Sequence, residues 1–293
     1  MSIIYGSLNV DERYSAILEP NLYFNAWMVP GKTYTDHYMV GPAGGIFVHK
    51  LKSTAATVGT PGRDFTDEAT QDELIPILLN NNYQKSKKIY GVQSNAVSFA
   101  VAEAQLANAT SEVREGVGQS GLACLITEGT ASANTTAITA ANVKAEIIKE
   151  RAALSKAKGS GNVILCSPDF YASVLEAAGT QFVPGWNEQV NASGNVGRWL
   201  GFTFIEANGL SEGTNKPTYY NHAGTKVEVT TANLALVDFI MYDYMAFSAV
   251  ANLEAMRLRD SENFVGTKAQ VEMNYGFRVT NAGAVRVRKH ASA

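Results

Sequence analysis

The sequence predicts an α+β fold, and three observations carry that prediction. Between Gln270 and Val279, apolar Val271, Met273, Tyr275, Phe277 and Val279 alternate with Gln270, Glu272, Asn274, Gly276 and Arg278. This is the period-two pattern of a strand with one buried face. From about Gln93 to about Ile126 good helix formers dominate and proline is absent, which predicts one long helix, weakened where Gly116, Gly118 and Gly121 fall. Between these two stretches, residues 131–244 alternate strand and helix signals, as a layered α/β unit does. An antiparallel sheet with one apolar face needs a cover, and the long helix is placed to supply it.

Taken in order, the first forty residues mix Tyr5, Tyr14, Tyr23, Phe24 and Trp27 with Pro20, Pro30 and Gly31, and follow neither period. An aromatic-rich arm with no core of its own must bury its rings elsewhere. A neighbouring subunit is the expected seat, with Tyr23, Phe24 and Trp27 as contacts. Gly41–Gly45 then opens an extended run, Ile46–Leu51, followed by a polar, turn-rich stretch from Ser53 to Asp72 and a return through Leu74–Leu79 and Lys87–Tyr90. Excursions of this length are uncommon and reach for a partner or a function, so Phe47, Lys50 and Lys52 are candidate intersubunit contacts. Gly44 and Gly45 at the base of the excursion, and Gly116 and Gly118 in the helix, are candidate hinges.

In the middle of the chain, Thr139 is expected to cap a helix running to about Lys158, with Val143, Ile147 and Leu154 on one face and Gly159 as the stop. Asn162–Cys166 reads as a buried strand. Ser167-Pro168-Asp169 combines a capping hydroxyl, a first-turn proline and an acid at the positive end of a helix dipole. That helix is expected to bury Tyr171, Val174, Leu175 and Ala178 and to stop at Gly179. Phe202–Ile205 and Leu234–Val237 are strand candidates, and a loop from Thr180 to Gly197 carries Trp186, another candidate contact. Met256 and Leu258 alternate with Arg257 and Arg259 in a strand ahead of the Val271 strand, both arginines being candidate contacts. Asn281–Gly283 is expected to turn the chain into Val285–Arg288 within the same antiparallel sheet.

Composition narrows the function classes. The chain has 293 residues, enough for one large domain or two modest ones. Charged residues make up only 17%, which implies that other protein covers much of the surface. With 24 basic against 27 acidic residues the net charge is −3, so electrostatics does not drive the chain onto nucleic acid or acidic membranes. There is no apolar run of about 18 residues and no secretory signal at the start, so a chain made in the cytosol and free of the membrane is expected. Two cysteines, Cys124 and Cys166, exclude a disulfide framework, and both read as packed thiols. His37, His49, His222 and His290 lack metal-ligand spacing. No phosphate loop is present, and Gly118-Gln119-Ser120-Gly121 is one residue short of a nucleophile elbow. Arg286, Arg288, Lys289 and His290 form a small basic tail, read as a solvated strand end that at most touches nucleic acid weakly. The asparagine sequons at Asn108, Asn134 and Asn191 carry no weight without a secretory signal. No catalytic group, metal or cofactor emerges, and the chain reads as a non-enzyme.

The order of parts is more specific than any single motif. Val163-Ile164-Leu165-Cys166-Ser167-Pro168-Asp169-Phe170-Tyr171 is followed by Gly201-Phe202-Thr203-Phe204-Ile205-Glu206-Ala207-Asn208-Gly209-Leu210. The ending runs from Ala246-Phe247 through Arg257 and Phe264-Val265-Gly266 to Tyr275-Gly276-Phe277-Arg278-Val279. In this order the chain resembles the major capsid proteins of tailed bacteriophages, which share the Hong Kong 97 fold. The resemblance implies an N-terminal arm over 1–38 and an extended loop over 39–90 lying on an adjacent subunit. It also implies a peripheral domain with a spine helix over 91–130 and 245–293, and an axial domain over 131–244 whose loop near Gln181–Gly197 points at the capsomer centre.

By the same resemblance the chain assembles into hexamers and pentamers of an icosahedral head enclosing double-stranded DNA, located in the virion capsid after assembly in the cytoplasm of a bacterial host. A separate scaffolding protein is expected because the sequence starts directly at the arm, and a portal and a decoration protein are further partners it suggests. Some relatives cross-link a loop lysine to a neighbour's asparagine; here Lys50 or Lys52 with Asn263 or Asn274 would be the groups, and a non-covalent shell is the expectation. Two alternatives remain: an encapsulin-type bacterial nanocompartment shell, and an α/β enzyme using residues 131–244.

Overall fold

A computed structural model describes residues 45–52, 71–91, 101–159, 161–181, 197–210 and 217–291. The arm with Tyr23, Phe24 and Trp27, the base residue Gly44, and Trp186 lie outside the described residues.

The alternating stretch near the C-terminus forms β12 (Gly266–Val279), the middle strand of a three-stranded antiparallel sheet. Its partners are β11 (Phe247–Asp260) and β3 (Asn81–Tyr90). Ala269, Val271, Tyr275, Phe277 and Val279 are buried on one face, as the period predicts. The helix that covers this face, α1 (Val101–Glu128), runs uninterrupted through Gly116, Gly118 and Gly121, all three buried.

Gly116 has a packing reason: a Cβ there would lie 2.5 Å from the ring of Tyr83 on β3. Tyr83 stacks in turn on Tyr275, their ring centroids 5.8 Å apart. Helix and sheet therefore meet at the glycine, a role different from the hinge expected of it. The Tyr275 hydroxyl and Ser120 Oγ are hydrogen-bonded at 3.0 Å beside the same contact, and Ser120 Oγ also donates to the carbonyl of Thr218 at 2.7 Å.

A second sheet fills the middle of the molecule. Its strands are β4 (Thr130–Ala131), β5 (Val163–Cys166), β6 (Arg198–Trp199), β7 (Phe202–Glu206), β10 (Val237–Tyr242) and β13 (Val285–Lys289). They lie in the order β4-β13-β10-β5-β7-β6, with β4–β13 and β5–β7 parallel and the other pairs antiparallel. Both faces are covered, so β5 and β10 read as nearly continuous apolar runs. One face joins the core under α1 through Val163, Leu165, Ile240, Tyr242, Val285 and Val287. The other receives α2 (Val143–Lys156) and α3 (Pro168–Gln181) through Ile164, Phe204, Phe239 and Met241. A small hairpin, β8 (Thr218–Tyr220) and β9 (Lys226–Glu228), packs on α1 through Tyr219 and Val227.

Several local expectations are corrected. The Val285–Arg288 strand leaves the three-stranded sheet and pairs with β10, because Val285 and Val287 complete the face under α1. Helix α2 begins at Val143, and Asn142 rather than Thr139 stands at its N-cap. There the Asn142 side chain accepts from the Thr139 backbone N–H at 2.8 Å and so holds Thr139 in the preceding turn. The helix ends at Lys156, and the left-handed residue that reverses the chain is Lys158 (φ 62°) rather than Gly159. Helix α3 passes through Gly179 to Gln181, a position that costs a helix about 1 kcal/mol without stopping it. Residues 231–235 form a short helix, α4 (Thr231–Ala235), instead of entering the strand, because Thr230 Oγ1 caps it by accepting from the Asn233 N–H at 3.3 Å.

Gly116→Ala tests the helix–sheet contact. Its better helix propensity is worth about 1 kcal/mol, but the displaced Tyr83 ring is expected to turn that into a net loss of about 1–3 kcal/mol in denaturant unfolding. An unchanged or raised midpoint would show that the ring gives way freely.

Candidate functional site

The described residues hold two built features: a hairpin carried by the three-stranded sheet and a charge network buried between the mixed sheet and α2. The hairpin is β1 (Gly45–Lys52) paired with β2 (Gln71–Leu78) in antiparallel register from Gly45 opposite Leu78 to Lys52 opposite Gln71. Two strands alone are marginal in water. This pair is anchored by Ile75 and Ile77, both buried, a burial worth roughly 1.5–3 kcal/mol for each fully covered side chain.

The anchor point is Gly276 of β12. A Cβ there would lie 2.4 Å from the Leu78 carbonyl oxygen and 3.2 Å from Ile77 Cγ2, so only glycine lets the hairpin base sit on the sheet. Lys50 adds a tether by donating from Nζ to the Thr280 carbonyl at 3.1 Å. Leu74 and Leu78 stay exposed, and among the described residues neither outer edge of the hairpin is paired with another strand. Pro76, opposite Phe47, cannot donate to a ladder and suits such an edge.

The residues singled out from sequence are placed as follows. Gly45, Phe47, Lys50 and Lys52 lie along β1, and Gly116 and Gly118 are buried in α1. Arg257 and Arg259 are exposed on β11, where Arg257 Nε donates to Gln270 at 2.8 Å and Arg259 pairs with Glu262 at 2.9 Å. Met256 and Leu258, expected to be buried, are 52% and 42% exposed although they lie on the α1 side of the sheet.

The basic tail is corrected outright. Arg288 is 0% exposed; its guanidinium donates to the carbonyls of Lys289 and Thr136, each at 2.5 Å, and pairs with Glu146 at 3.4 Å. Asp238 lies 3.8 Å away on the other side. Arg286 pairs with Glu150 at 3.4 Å, and His290 Nδ1 meets Asp238 at 2.8 Å. Ser132 donates to Glu150 at 2.5 Å, Asn134 donates to Glu146, and Lys149 reaches Glu146 at 2.6 Å. Arg286, Arg288 and His290 are thus spent on internal carboxylates and are not available as a solvated end. Sequence missed this network because Glu146 and Glu150 lie more than 130 residues away on α2, and Asp238 lies on β10, 52 residues before His290.

Burial pushes the Glu146 carboxyl up, but donors from Lys149, Asn134 and Arg288 outweigh it and hold it below the usual carboxylate range. Asp238 goes the other way: burial raises it more than His290 and Arg288 lower it. The thiols of Cys124 and Cys166 are buried and pushed up, chiefly by desolvation, which keeps them protonated and unreactive. Among the described residues no group of three or more His, Cys, Asp or Glu is placed to hold a metal, and no helix is long and apolar enough to cross a membrane.

No protein-family model matches the chain, and no curated protein does. Solved structures do match it, over nearly the full length on both sides. A structure from Mycobacterium phage Che8 shares 15% identity and a TM-score of 0.67, covering 94% of this chain and 96% of that one. The capsid structure of cyanophage P-SCSP1u shares 12% identity and a TM-score of 0.64 over 98% and 93%. The mature capsid of bacteriophage PhiM1 shares 14% identity and a TM-score of 0.61 over 96% and 92%. The chain has the Hong Kong 97-type capsid fold.

Two predictions follow from this geometry. Gly276→Ala is expected to lift the hairpin base, speeding amide exchange in β1 and β2 at least tenfold while α1 exchanges as before; unchanged hairpin exchange would remove Gly276 as the anchor. The second concerns pH. Glu146 titrates lower in the fold than unfolded, so its contribution is present above its ordinary value of 4.5 and is lost as pH falls through the lower folded value. Asp238 titrates higher in the fold, so its protonation adds stability as pH falls through its raised value. Unfolding midpoints against pH should therefore show a flattened acid loss in Glu146→Gln and a steeper one in Asp238→Asn. Parallel curves for both variants and the parent would refute this assignment.

Proposed function

We propose that the chain is a major capsid protein that assembles into hexamers and pentamers and closes an icosahedral phage head around double-stranded DNA. The observation that carries this reading is the end-to-end match with capsid structures, covering 98% of this chain and 93% of the cyanophage capsid chain. The low charged fraction and the anchored hairpin with exposed Leu74 and Leu78 support it, since both suit a surface completed by neighbours.

In this reading residues 1–38 are the arm, 39–90 the extended loop, 91–130 with 245–293 the peripheral domain, and 131–244 the axial domain. The strand β13 ties the last segment of the peripheral domain into the axial sheet. Head-to-tail contacts that close at five or six copies let one sequence tile a shell. Tyr23, Phe24, Trp27, Phe47, Lys52 and Trp186 are proposed contacts between subunits, as are Lys50, Arg257 and Arg259. Gly44 and Gly45 are the proposed hinge at the loop base. Assembly takes place in the host cytoplasm with a separate scaffolding protein, and a portal and a decoration protein complete the particle. The subunit acts as a building block and not as a catalyst.

Size-exclusion chromatography followed by negative-stain electron microscopy tests the proposal. Capsomer rings or closed shells are expected from the chain alone or with its neighbouring genes co-expressed. A uniform monomer or dimer under both conditions would overturn it.

A further inference from the structure

A cleft of about 290 Å³ opens where β1 passes the end of the mixed sheet. It is lined by Val48 and Lys50 of β1, by Lys158 from the turn after α2, and by Asp243, Met245 and Thr280. Its charge is mostly positive. Lys158 is exposed, and among the described residues its ammonium has neither a hydrogen bond nor an ion pair. Lys50 gives one of its three N–H donors to the Thr280 carbonyl at 3.1 Å and keeps the others. The lining carboxylate, Asp243, is turned to the backbone, where its Oδ1 accepts from the Met245 N–H at 3.1 Å. Glu73 stands opposite Lys50 in the hairpin register but is exposed and outside the lining.

Two further observations point to a ligand. Lys158 holds φ 62°, a left-handed conformation uncommon outside glycine, although Gly159 follows it and could have turned the chain. A strained residue kept where glycine would be unstrained directs attention to its side chain. The second lies in the sheet beside the cleft. The Thr280 N–H donates to the Ala246 carbonyl and so continues the β11–β12 ladder to the cleft wall. The next pair on that face is Ser248 opposite Arg278. Ser248 is 0% exposed and its Oγ has no hydrogen-bond partner; Nη1 of the half-buried Arg278 is likewise buried without one. Among the described residues Arg278 has no carboxylate partner. Buried donors left unmade are costly, and two of them in one cross-strand pair mark a place suited to an acceptor.

We infer that this cleft is a binding site for a tetrahedral oxyanion, phosphate, with Lys50 and Lys158 at its mouth and Arg278 and Ser248 at its base. The lysines supply point charge, while the guanidinium and the hydroxyl supply directed donors, a combination that recognises phosphate oxygens. The chemistry is the same for a free phosphate and for the phosphodiester of a nucleic-acid strand, and the test separates them. One subunit carries every group, so the site does not depend on assembly.

Thermal unfolding of the full chain in sodium phosphate, against sodium chloride at matched ionic strength, tests the site. At ten times Kd, phosphate should raise the midpoint of the parent by roughly 2–3 °C beyond chloride. Lys158→Gly relaxes the left-handed turn, so its midpoint in chloride should not fall, yet the phosphate-specific rise should shrink to about a third, the result of a tenfold loss of affinity. Ser248→Ala removes a hydroxyl that the fold leaves unpaired and should also keep its chloride midpoint while losing phosphate response. Arg278→Gln should abolish the response. A short single-stranded oligonucleotide, read by fluorescence anisotropy, identifies the source. Binding lost in the same variants would extend the site to a phosphodiester, and no binding beside a phosphate response would restrict it to the free anion.

Equal midpoints of the parent in phosphate and chloride, with no oligonucleotide binding, would overturn the site. So would a phosphate response that all three variants keep, which would place the anion elsewhere. A lowered chloride midpoint in Ser248→Ala would show that the fold uses its hydroxyl and would remove it from the site. The shell reading stands or falls separately, on particle imaging.

Discussion

The seating of α1 on the three-stranded sheet is the contact on which the rest of the molecule depends. The helix lies between two sheets, and its buried side belongs to the same core as β12 and as one face of the mixed sheet. Close approach at Gly116 lets Tyr83 and Tyr275 pack beneath it, and Ser120 links the same spot to β8 through Thr218. A larger residue at that position would separate sheet and helix, and with them the surfaces each one presents. The hairpin is attached by the same means at Gly276, where removal of a side chain lets backbone approach backbone. Two glycines, one in a helix and one in a strand, thus determine how three layers stack.

Charge is distributed in two ways. Behind the mixed sheet, Arg288, Glu146, Glu150 and Asp238 are buried among one another, nearby carbonyls and Arg286, Lys149, Ser132, Asn134 and His290, with only Arg288 Nε and Asp238 Oδ2 of this group lacking a hydrogen bond. Such groups add little net stability when paired, yet breaking one pair costs about 3–5 kcal/mol, so they specify where β13 must sit. On the outward face of the three-stranded sheet, Arg259 pairs with Glu262 and Arg257 with Gln270, while Lys88 and the half-buried Lys268 lie over the ring of Phe264. The first arrangement ties β13 to α2 across the mixed sheet, and the second joins strands of a single sheet.

Much of this was legible in the sequence wherever only one face of an element is buried. The alternation through Val271–Val279 located β12, and the proline-free run located α1, because in each case polarity follows geometry. Legibility failed where a covered face is closed by charged partners instead of apolar ones. On β13, Val285 and Val287 alternate with Arg286 and Arg288, which reads as a strand with a wet side; in the fold that side is closed by α2, and the arginines meet its glutamates. Met256 and Leu258 failed in the opposite sense, alternating like core residues at a stretch of β11 that stays exposed. The placing of Lys88 of β3 opposite Lys268 of β12 was invisible because the two are far apart in the chain and become neighbours only through strand register. The long-range order of motifs succeeded where single motifs could not, since it carries the topology that local period lacks.

The position of β13 has a consequence for how the molecule comes into being. This strand is near the end of the sequence but lies inside its sheet, between β4 and β10. Until residues 285–289 have been synthesised, β4 has no partner and one side of β10 stands open, with the carboxylates of α2 and Asp238 lacking their arginine. Folding of the mixed sheet therefore completes only after residues 285–289 have been made. A chain that stopped short of residue 285 would lack the strand that joins β4 to β10, whatever else of it had folded.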